Sequence, residues 1–104
     1  MSTLNGIYAA VATPFDAARR PDSDQFQKLL RHLEARGCHG VLIAGTTGEG
    51  PSLSVDERIA LVKAAVTANS SLRLLAGTGA TSLEDAIALA RAAFDAGAAG
   101  IVVI

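Results

Sequence analysis

The sequence is poor in aromatic residues and in cysteine, and each shortage excludes a class of protein. Phenylalanine, tyrosine and tryptophan together make up 4% of the 104 residues, and tryptophan is absent. This argues against the aromatic platforms on which single-stranded nucleic acids stack. The single cysteine, Cys38, excludes an internal disulfide bond and fits a reducing compartment. We interpret it as a small hydrophobic residue of the packing.

The chain also lacks an excess of charge and a long apolar run. Nine basic and ten acidic residues give a formal net charge of −1, so there is no basic field for nucleic acid. No apolar run approaches the roughly 18 residues that a membrane span needs, and the first residues lack the features of a signal peptide. We therefore expect a cytoplasmic protein with a small-molecule partner, and neither a nucleic-acid nor a membrane partner.

Half of the residues are hydrophobic, and they form short apolar runs that alternate with helical patterns. The runs cover residues 7–13, 40–44, 72–76 and 100–104. They are nearly continuous, which is typical of strands buried on both faces of a parallel sheet. Because parallel strands need long right-handed crossovers, the pattern predicts an α/β fold of order β-α-β-α-β-α-β. A (β/α)₈ barrel and an open doubly wound sheet are both built in this way.

The segments between the apolar runs carry the signals of helix ends. The first helix is predicted to begin near Asp22 and to end at Gly37. Its apolar stripe, at spacing i, i+3, i+4 and i+7, consists of Phe26, Leu29, Leu30 and Leu33. The sequence "SVDE" predicts a capping box between Ser54 and Glu57 at the start of the second helix.

The third helix is predicted to begin at Ser82, with Asp85 three residues later, and to end before Gly97. The apolar residues that we expect to face the sheet are Leu83, Ile87 and Phe94. The sequence then stops at Ile104, inside an apolar strand, whereas a barrel takes about 250 residues. We therefore expect residues 1–104 to be part of one larger domain, either a fragment or half of an assembly.

Loops rich in glycine and threonine follow the first three predicted strands. They are "TPF" at 13–15, "GTTGEG" at 45–50 and "GTGATS" at 77–82. The carboxyl ends of parallel strands meet at one edge, where α/β proteins place their active sites. Hydroxyls and backbone N–H groups there would form a neutral cradle for a carboxylate or a phosphate. The alternative is that these residues only form turns.

Other polar residues are weaker candidates. We interpret Glu49 as a local hydrogen-bonding or helix-dipole partner rather than a base. His32 and His39 have no carboxylates at metal-ligand spacing and are expected to be structural or solvated. Lys28 and Lys63 fall within helical patterns, where charged side chains face solvent. The sequence therefore indicates no metal site and no cofactor.

Together, "VATPFD", "GVLIAGTTGEGPSLSVDER" and "LLAGTGATSLEDAIALARAAFDAGAAGIVVI" resemble the dihydrodipicolinate synthase/N-acetylneuraminate lyase family of class I aldolases. The resemblance extends over essentially the whole chain, with the family's order and spacing. It implies a (β/α)₈ TIM barrel, of which residues 1–104 would form the first three and a half β/α units. It also implies a homo-oligomer, usually a tetramer, in which a lysine forms a Schiff base with pyruvate or a related 2-oxo acid.

The resemblance also implies roles for three residues of this chain. Thr46 and Thr47 match the hydroxyl pair that holds the carboxylate of the 2-oxo acid, and Thr47 matches the catalytic member of a proton relay with tyrosines. Ala10 matches a residue that lines the same pocket. The Schiff-base lysine and the catalytic tyrosines belong to family segments beyond Ile104. The chain alone is therefore expected to be inactive.

The sequence departs from the family at several positions. Val55, Arg58 and Thr81 stand where lysine-regulated synthases tend to carry two histidines and an asparagine, so feedback inhibition by lysine is not expected. The Thr46–Thr47 pair favours the synthases over the Ser-Thr pattern that is typical of the sialic acid lyases. One alternative function is a non-catalytic half-barrel that acts by self-assembly or complementation. Another is a phosphate-binding module, which the lack of a Gly-Lys-Ser/Thr ending disfavours.

Overall fold

The computed structural model describes residues 5–103, in which strands and helices alternate as predicted. The elements are β1 (Tyr8–Ala10), α1 (Ser23–Ala35), β2 (Gly40–Ile43), α2 (Val55–Thr67), β3 (Arg73–Gly77), α3 (Leu83–Ala96) and β4 (Gly100–Val102). A short 3₁₀ helix, Gly50–Ser52, precedes α2. Strands β1 and β4 are shorter than the predicted runs, and the predicted end at Ile104 lies outside the described residues.

The four strands form one parallel sheet in the order β1-β2-β3-β4. A doubly wound sheet reverses its strand order at a switch point, and these strands do not. Each strand-helix-strand crossover is right-handed and moves the chain to the next strand in the same direction along the sheet. All three helices therefore lie on one face of the sheet. This is the wall of a (β/α)₈ barrel, and it settles the choice between the two architectures.

The helices begin and end where the sequence predicts. Ser54 and Glu57 form the complete capping box at α2, with the Ser54 hydroxyl 3.1 Å from the Glu57 nitrogen. Asp22 caps α1 and Ser82 caps α3 in the same position. None of the helices within residues 5–103 combines the length and the apolar character that a membrane crossing requires.

The core lies between the helices and the sheet face that they cover. Its fully buried side chains come from both layers and include Phe26, Leu30, Val41, Ile43 and Leu61. Phe26 and Leu30 belong to the predicted stripe of α1, and Leu29 and Leu33 pack against this core while partly exposed. Burying large side chains of this kind contributes roughly 1.5–3 kcal/mol each, so this layer supplies most of the packing energy.

The apolar face of α3 differs from the prediction. Leu83, Ile87 and Phe94 are 77%, 43% and 53% exposed, whereas Leu89 and Ala93 are buried. At about 100° per residue, the exposed stripe lies roughly 120° around the helix from the buried pair. The helix therefore turns a mainly small-residue side inward and leaves its three large side chains outside.

The second face of the sheet is the side without helices. Ala10, Leu42, Leu75 and Gly100 lie in register across it; Ala10 is exposed, and Leu42 and Leu75 are partly buried. The predicted burial on both faces is therefore found only on the helix-covered face. A Cβ on Gly100 would lie 3.0 Å from Leu75 Cδ2, so a small residue accommodates its large neighbour. This alternation is typical of the interior of a barrel.

Candidate active site

The turn formed by residues 45–50 follows β2 and carries the two candidate hydroxyls. Two backbone bonds close it: Glu49 N–H donates to Thr46 O at 3.0 Å, and Gly50 N–H donates to Gly45 O at 2.9 Å. Thr46 and Thr47 are exposed, and neither hydroxyl bonds to another residue of the described part of the chain. Both are therefore free to donate to a ligand.

The backbone is strained on both sides of these threonines. Ala44 and Glu49 have φ values of +57° and +58°, in the left-handed region. This conformation costs a residue with a side chain about 1–2 kcal/mol, so the surroundings must hold it in place. Such strain is found preferentially at functional sites.

Glycines pack against Ala44, the first of the two residues with strained backbone. A Cβ on Gly50 or Gly77 would collide with Ala44 O, in the case of Gly77 at 2.5 Å. A Cβ on Gly48 would lie 2.9 Å from Val11 O. The absence of side chains lets the ends of β1, β2 and β3 pack backbone against backbone, which explains the glycines of "GTTGEG" and "GTGATS".

Thr13 connects the loop after β1 to the 45–50 turn. Its side chain is buried, with 6% exposed, and its hydroxyl donates to Gly48 O at 2.6 Å. The sequence pattern places this residue at the correct edge of the sheet but indicates no role for it. A contact between residues 35 positions apart leaves no local pattern, which is why sequence reasoning missed it.

Arg58 joins α2 to the loop after β3. Its guanidinium donates to Gly77 O at 2.6 Å and to Gly79 O at 2.8 Å, and Nε has no partner within residues 5–103. Burial lowers the pKa of this guanidinium. A signal for it did exist, because Arg58 shares the i, i+3, i+4 spacing with buried Leu61 and Val62.

A cleft of about 500 Å³ extends from the turn to the loop after β3. Thr46, Arg58, Thr81 and Asp85 are among the side chains that line it. The predicted site residues Thr47 and Ala10 do not line this cleft. Ala10 lies instead on the uncovered face of the sheet, in register with Leu42, which does line it.

The remaining polar candidates lie away from this cleft. His39 Nδ1 accepts from Ile7 N–H at 2.9 Å and His32 is exposed, so both are structural or solvated as expected. Lys28 and Lys63 are exposed on α1 and α2. Between residues 5 and 103, no three His, Cys, Asp or Glu side chains come together in a group that could hold a metal ion.

Taken together, the site can supply hydroxyl donors to an anion. Thr46 and Thr47 lie on a turn closed by two backbone bonds, and the cationic group in the neighbouring cleft wall, Arg58, is already bonded to two carbonyl oxygens. A carboxylate fits such donors, because hydrogen bonds to an ionised acceptor are roughly twice as strong as neutral ones.

Known proteins share this architecture. The chain is 45% identical over 105 residues to an uncharacterized DapA-like lyase of Chloroflexus aurantiacus, a match that covers all of this chain and 35% of that protein. The solved structure of N-acetylneuraminate lyase from Proteus mirabilis superposes with a TM-score of 0.92 at 37% identity, over 98% of this chain and 35% of that one.

A third relative is YagE, a prophage protein of the dihydrodipicolinic acid synthase family from E. coli K12, whose solved structure is a complex with pyruvate. It superposes with a TM-score of 0.92 at 33% identity, over 98% of this chain and 35% of that one. The chain thus spans about a third of the length of the relatives that it matches. A model of the dihydrodipicolinate synthetase family matches residues 3–104, so this chain, with its partial TIM-barrel fold, belongs to that family.

Proposed function

We propose that this chain forms the carboxylate-binding side of a lyase or aldolase that acts on pyruvate or a related 2-oxo acid. The observation that carries the proposal is the exposed pair Thr46 and Thr47, whose hydroxyls bond no other described residue, on a strained turn at the carboxyl end of β2. The pyruvate complex of a relative supports the ligand class.

In this proposal the two threonine hydroxyls donate to the carboxylate, and Thr47 also relays a proton between the substrate and tyrosines from outside residues 1–104, taking one proton as it gives another. Neutral hydroxyl donors suit this role, because they bind an ionised carboxylate through strong hydrogen bonds without adding a charge to the pocket. Ala10, on the uncovered face in register with Leu42, is proposed to line the 2-oxo acid pocket from that side.

The amine nucleophile is proposed to lie outside residues 1–104. Lys28 and Lys63, the two lysines of this sequence, belong to α1 and α2 and are exposed. The helices cover the face of the sheet opposite Ala10, so neither lysine is placed to reach a 2-oxo acid bound at the turn. We therefore expect no turnover from these residues alone.

Borohydride trapping tests both parts of the proposal. Treatment of the 104-residue chain with pyruvate and borohydride should leave its mass unchanged, and an adduct on Lys28 or Lys63 would contradict the proposal. A chimaera in which this chain replaces the matching 35% of the Proteus mirabilis lyase should form the adduct.

The matched control is the same chimaera carrying Thr46→Val and Thr47→Val. Because valine has the shape of threonine without its hydroxyl, the pyruvate concentration for half-maximal trapping should rise at least tenfold, about 1.4 kcal/mol of binding. Equal trapping by the two chimaeras, or a folded chimaera that forms no adduct, would contradict the carboxylate-binding role.

The second candidate function is a non-catalytic half-barrel that acts by self-assembly. It is favoured by the exposed stripe of Leu83, Ile87 and Phe94 and by the uncovered sheet face around Ala10. Size-exclusion chromatography with light scattering should then show an oligomer that Phe94→Glu weakens. A folded monomer would contradict this second function and leave the first untouched.

A further inference from the structure

We propose that Thr13 is a positioning residue of this site: its hydroxyl fixes the 45–50 turn in the shape that presents Thr46 and Thr47 to a carboxylate. The consequence for ligand binding rests on the proposed function. The consequence for the shape of the turn does not.

A buried hydrogen bond joins Thr13 to the 45–50 turn. Thr13 Oγ1 donates to Gly48 O at 2.6 Å, at the short end of the range for hydroxyl donors, and the contact is buried. Because water cannot replace the donor there, losing the hydroxyl would leave a buried carbonyl oxygen without this partner. Gly48 directly follows Thr47, so the bond acts next to the candidate ligand-binding pair.

The turn requires contacts with other segments, because the backbone conformation at its two ends is unfavourable. Ala44 and Glu49, at its two ends, are both in the left-handed conformation. The side chains of Thr46 and Thr47 are exposed, and neither hydroxyl bonds to another residue within 5–103. Their position is therefore set by the backbone on either side.

The glycine contacts and the Thr13 bond act on different parts of the turn. Gly50 and Gly77 pack against Ala44 O, where the chain enters the turn. Thr13 instead bonds to Gly48, at the far side of the two threonines. Together these contacts fix both sides of the exposed pair.

Thr13 is itself held rigidly. The following residue is Pro14, which restricts Thr13 to extended backbone conformations. Pro14 O in turn accepts from Asp22 N–H at 2.9 Å, and Asp22 is the N-cap of α1. The donor is thus anchored to a helix start, so it can determine the position of the turn rather than follow it.

The test uses the ¹⁵N-labelled 104-residue chain and three variants: Thr13→Val removes the hydroxyl, Thr13→Ser keeps it, and Thr78→Val removes a hydroxyl from another buried threonine. Amide hydrogen exchange of Glu49, whose N–H bonds Thr46 O, reports the shape of the turn. Pyruvate titration followed at the Thr46 and Thr47 amides reports binding.

Thr13→Val should accelerate exchange at Glu49 about tenfold relative to the amides of α2, and should weaken pyruvate binding about tenfold. Thr13→Ser should restore both values to those of the wild type. Thr78→Val should change neither, because its hydroxyl lies 3.5 Å from Val102 O and does not contact the turn. A general loss of stability could not produce this pattern.

Unchanged Glu49 exchange and unchanged pyruvate affinity in Thr13→Val would overturn the inference. If that variant does not fold, Thr13→Ser decides: accelerated Glu49 exchange in a folded serine variant would contradict the inference, and wild-type exchange would support it. Wild-type chain that shows no pyruvate response would count against the proposed function, while the exchange measurement would still decide the role of Thr13.

Discussion

Threonines at the carboxyl end of the sheet fall into two groups. Thr13 and Thr78 are buried; the Thr13 hydroxyl donates to Gly48 O of the turn after β2, and the Thr78 hydroxyl donates to Val102 O at the end of β4. Thr46 and Thr47 are exposed and unbonded within the described residues. Threonine thus has two roles at the same edge of the sheet. Only burial and hydrogen bonding distinguish a structural hydroxyl from one that is available to a ligand.

The difference arises from how the loops pack. The loops after β1 and β3 lie on either side of the turn after β2, and the buried threonine of each loop bonds a carbonyl oxygen of a neighbouring segment, Thr13 that of Gly48 and Thr78 that of Val102. The turn between them is pressed against the strand ends through Gly48 and Gly50, and its side chains face outward. The structural hydroxyls therefore surround the available ones.

The largest expected effect comes from breaking the glycine contacts beneath the turn. A Cβ at Gly50 would collide with Ala44 O, which is backbone and cannot move aside, so Gly50→Ala should cost about 3 kcal/mol of stability. Gly100→Ala is the control, because its new Cβ would meet only the end of the Leu75 side chain. Urea unfolding that shows equal losses would contradict the packing account.

Removing the guanidinium of Arg58 should have the next largest effect. Arg58→Met retains most of the apolar stem but leaves Gly77 O and Gly79 O without their charged donor, which should cost about 2 kcal/mol. Arg91→Met, at an exposed position of α3, should stay within about 0.5 kcal/mol of wild type. Thermal unfolding of the two variants measures the contrast, and equal stability would show that Arg58 does not hold the loop.

Substitutions at Thr13 and Thr46 compare the stability that a buried and an exposed hydroxyl each contribute. Thr13→Val should lower the free energy of unfolding by about 1 kcal/mol, because it removes a buried hydrogen bond. Thr46→Val should change it by less than about 0.5 kcal/mol, since the exposed hydroxyl bonds no other described residue. If chemical denaturation gave the reverse order, the division into structural and available hydroxyls would be wrong.

The smallest effect concerns an exposed hydroxyl that is nevertheless structural. Ser71 Oγ donates to Glu34 Oε2 at 2.6 Å, and the Ser71 backbone N–H donates to the same oxygen. The bond from the hydroxyl, followed by that from the backbone, lowers the pKa of Glu34 in the folded protein. Exposure alone therefore does not make a hydroxyl available.

Because the folded pKa of Glu34 lies below its ordinary value, its stabilising effect is complete above the unfolded pKa. The effect is lost as the pH falls through the folded pKa. Glu34→Gln should therefore lower the melting temperature slightly at neutral pH, and the difference from wild type should shrink in acid. A constant difference for Glu34→Gln would contradict the assignment.

How much the sequence predicts depends on the range of the interactions. The capping box of Ser54 and Glu57 was found because it lies within four residues. The strand order was not determined by the residue pattern, because a barrel and a doubly wound sheet share the same alternation and differ only in which strands pair.

The wrong or missing predictions also concern interactions between segments that are distant in the sequence. The inward face of α3 was predicted from its largest apolar residues, but a helix buries the side that fits its neighbours, here Leu89 and Ala93. Arg58 was compared with family positions and given no structural role, although its spacing places it on the buried side of α2. The position of Thr46 and Thr47 at a strand end was predicted correctly, whereas their support by Thr13 depends on a contact across 35 residues.

The most direct test of the central claim is pyruvate titration of the ¹⁵N-labelled chain beside the double variant Thr46→Val/Thr47→Val. The account predicts saturable shifts of the amides of the 45–50 turn in the wild type. It predicts their loss in the double variant, whose free energy of unfolding should stay within about 0.5 kcal/mol of wild type. A wild type without saturable shifts, or a double variant that binds pyruvate equally well, would contradict the claim that these hydroxyls bind a 2-oxo acid.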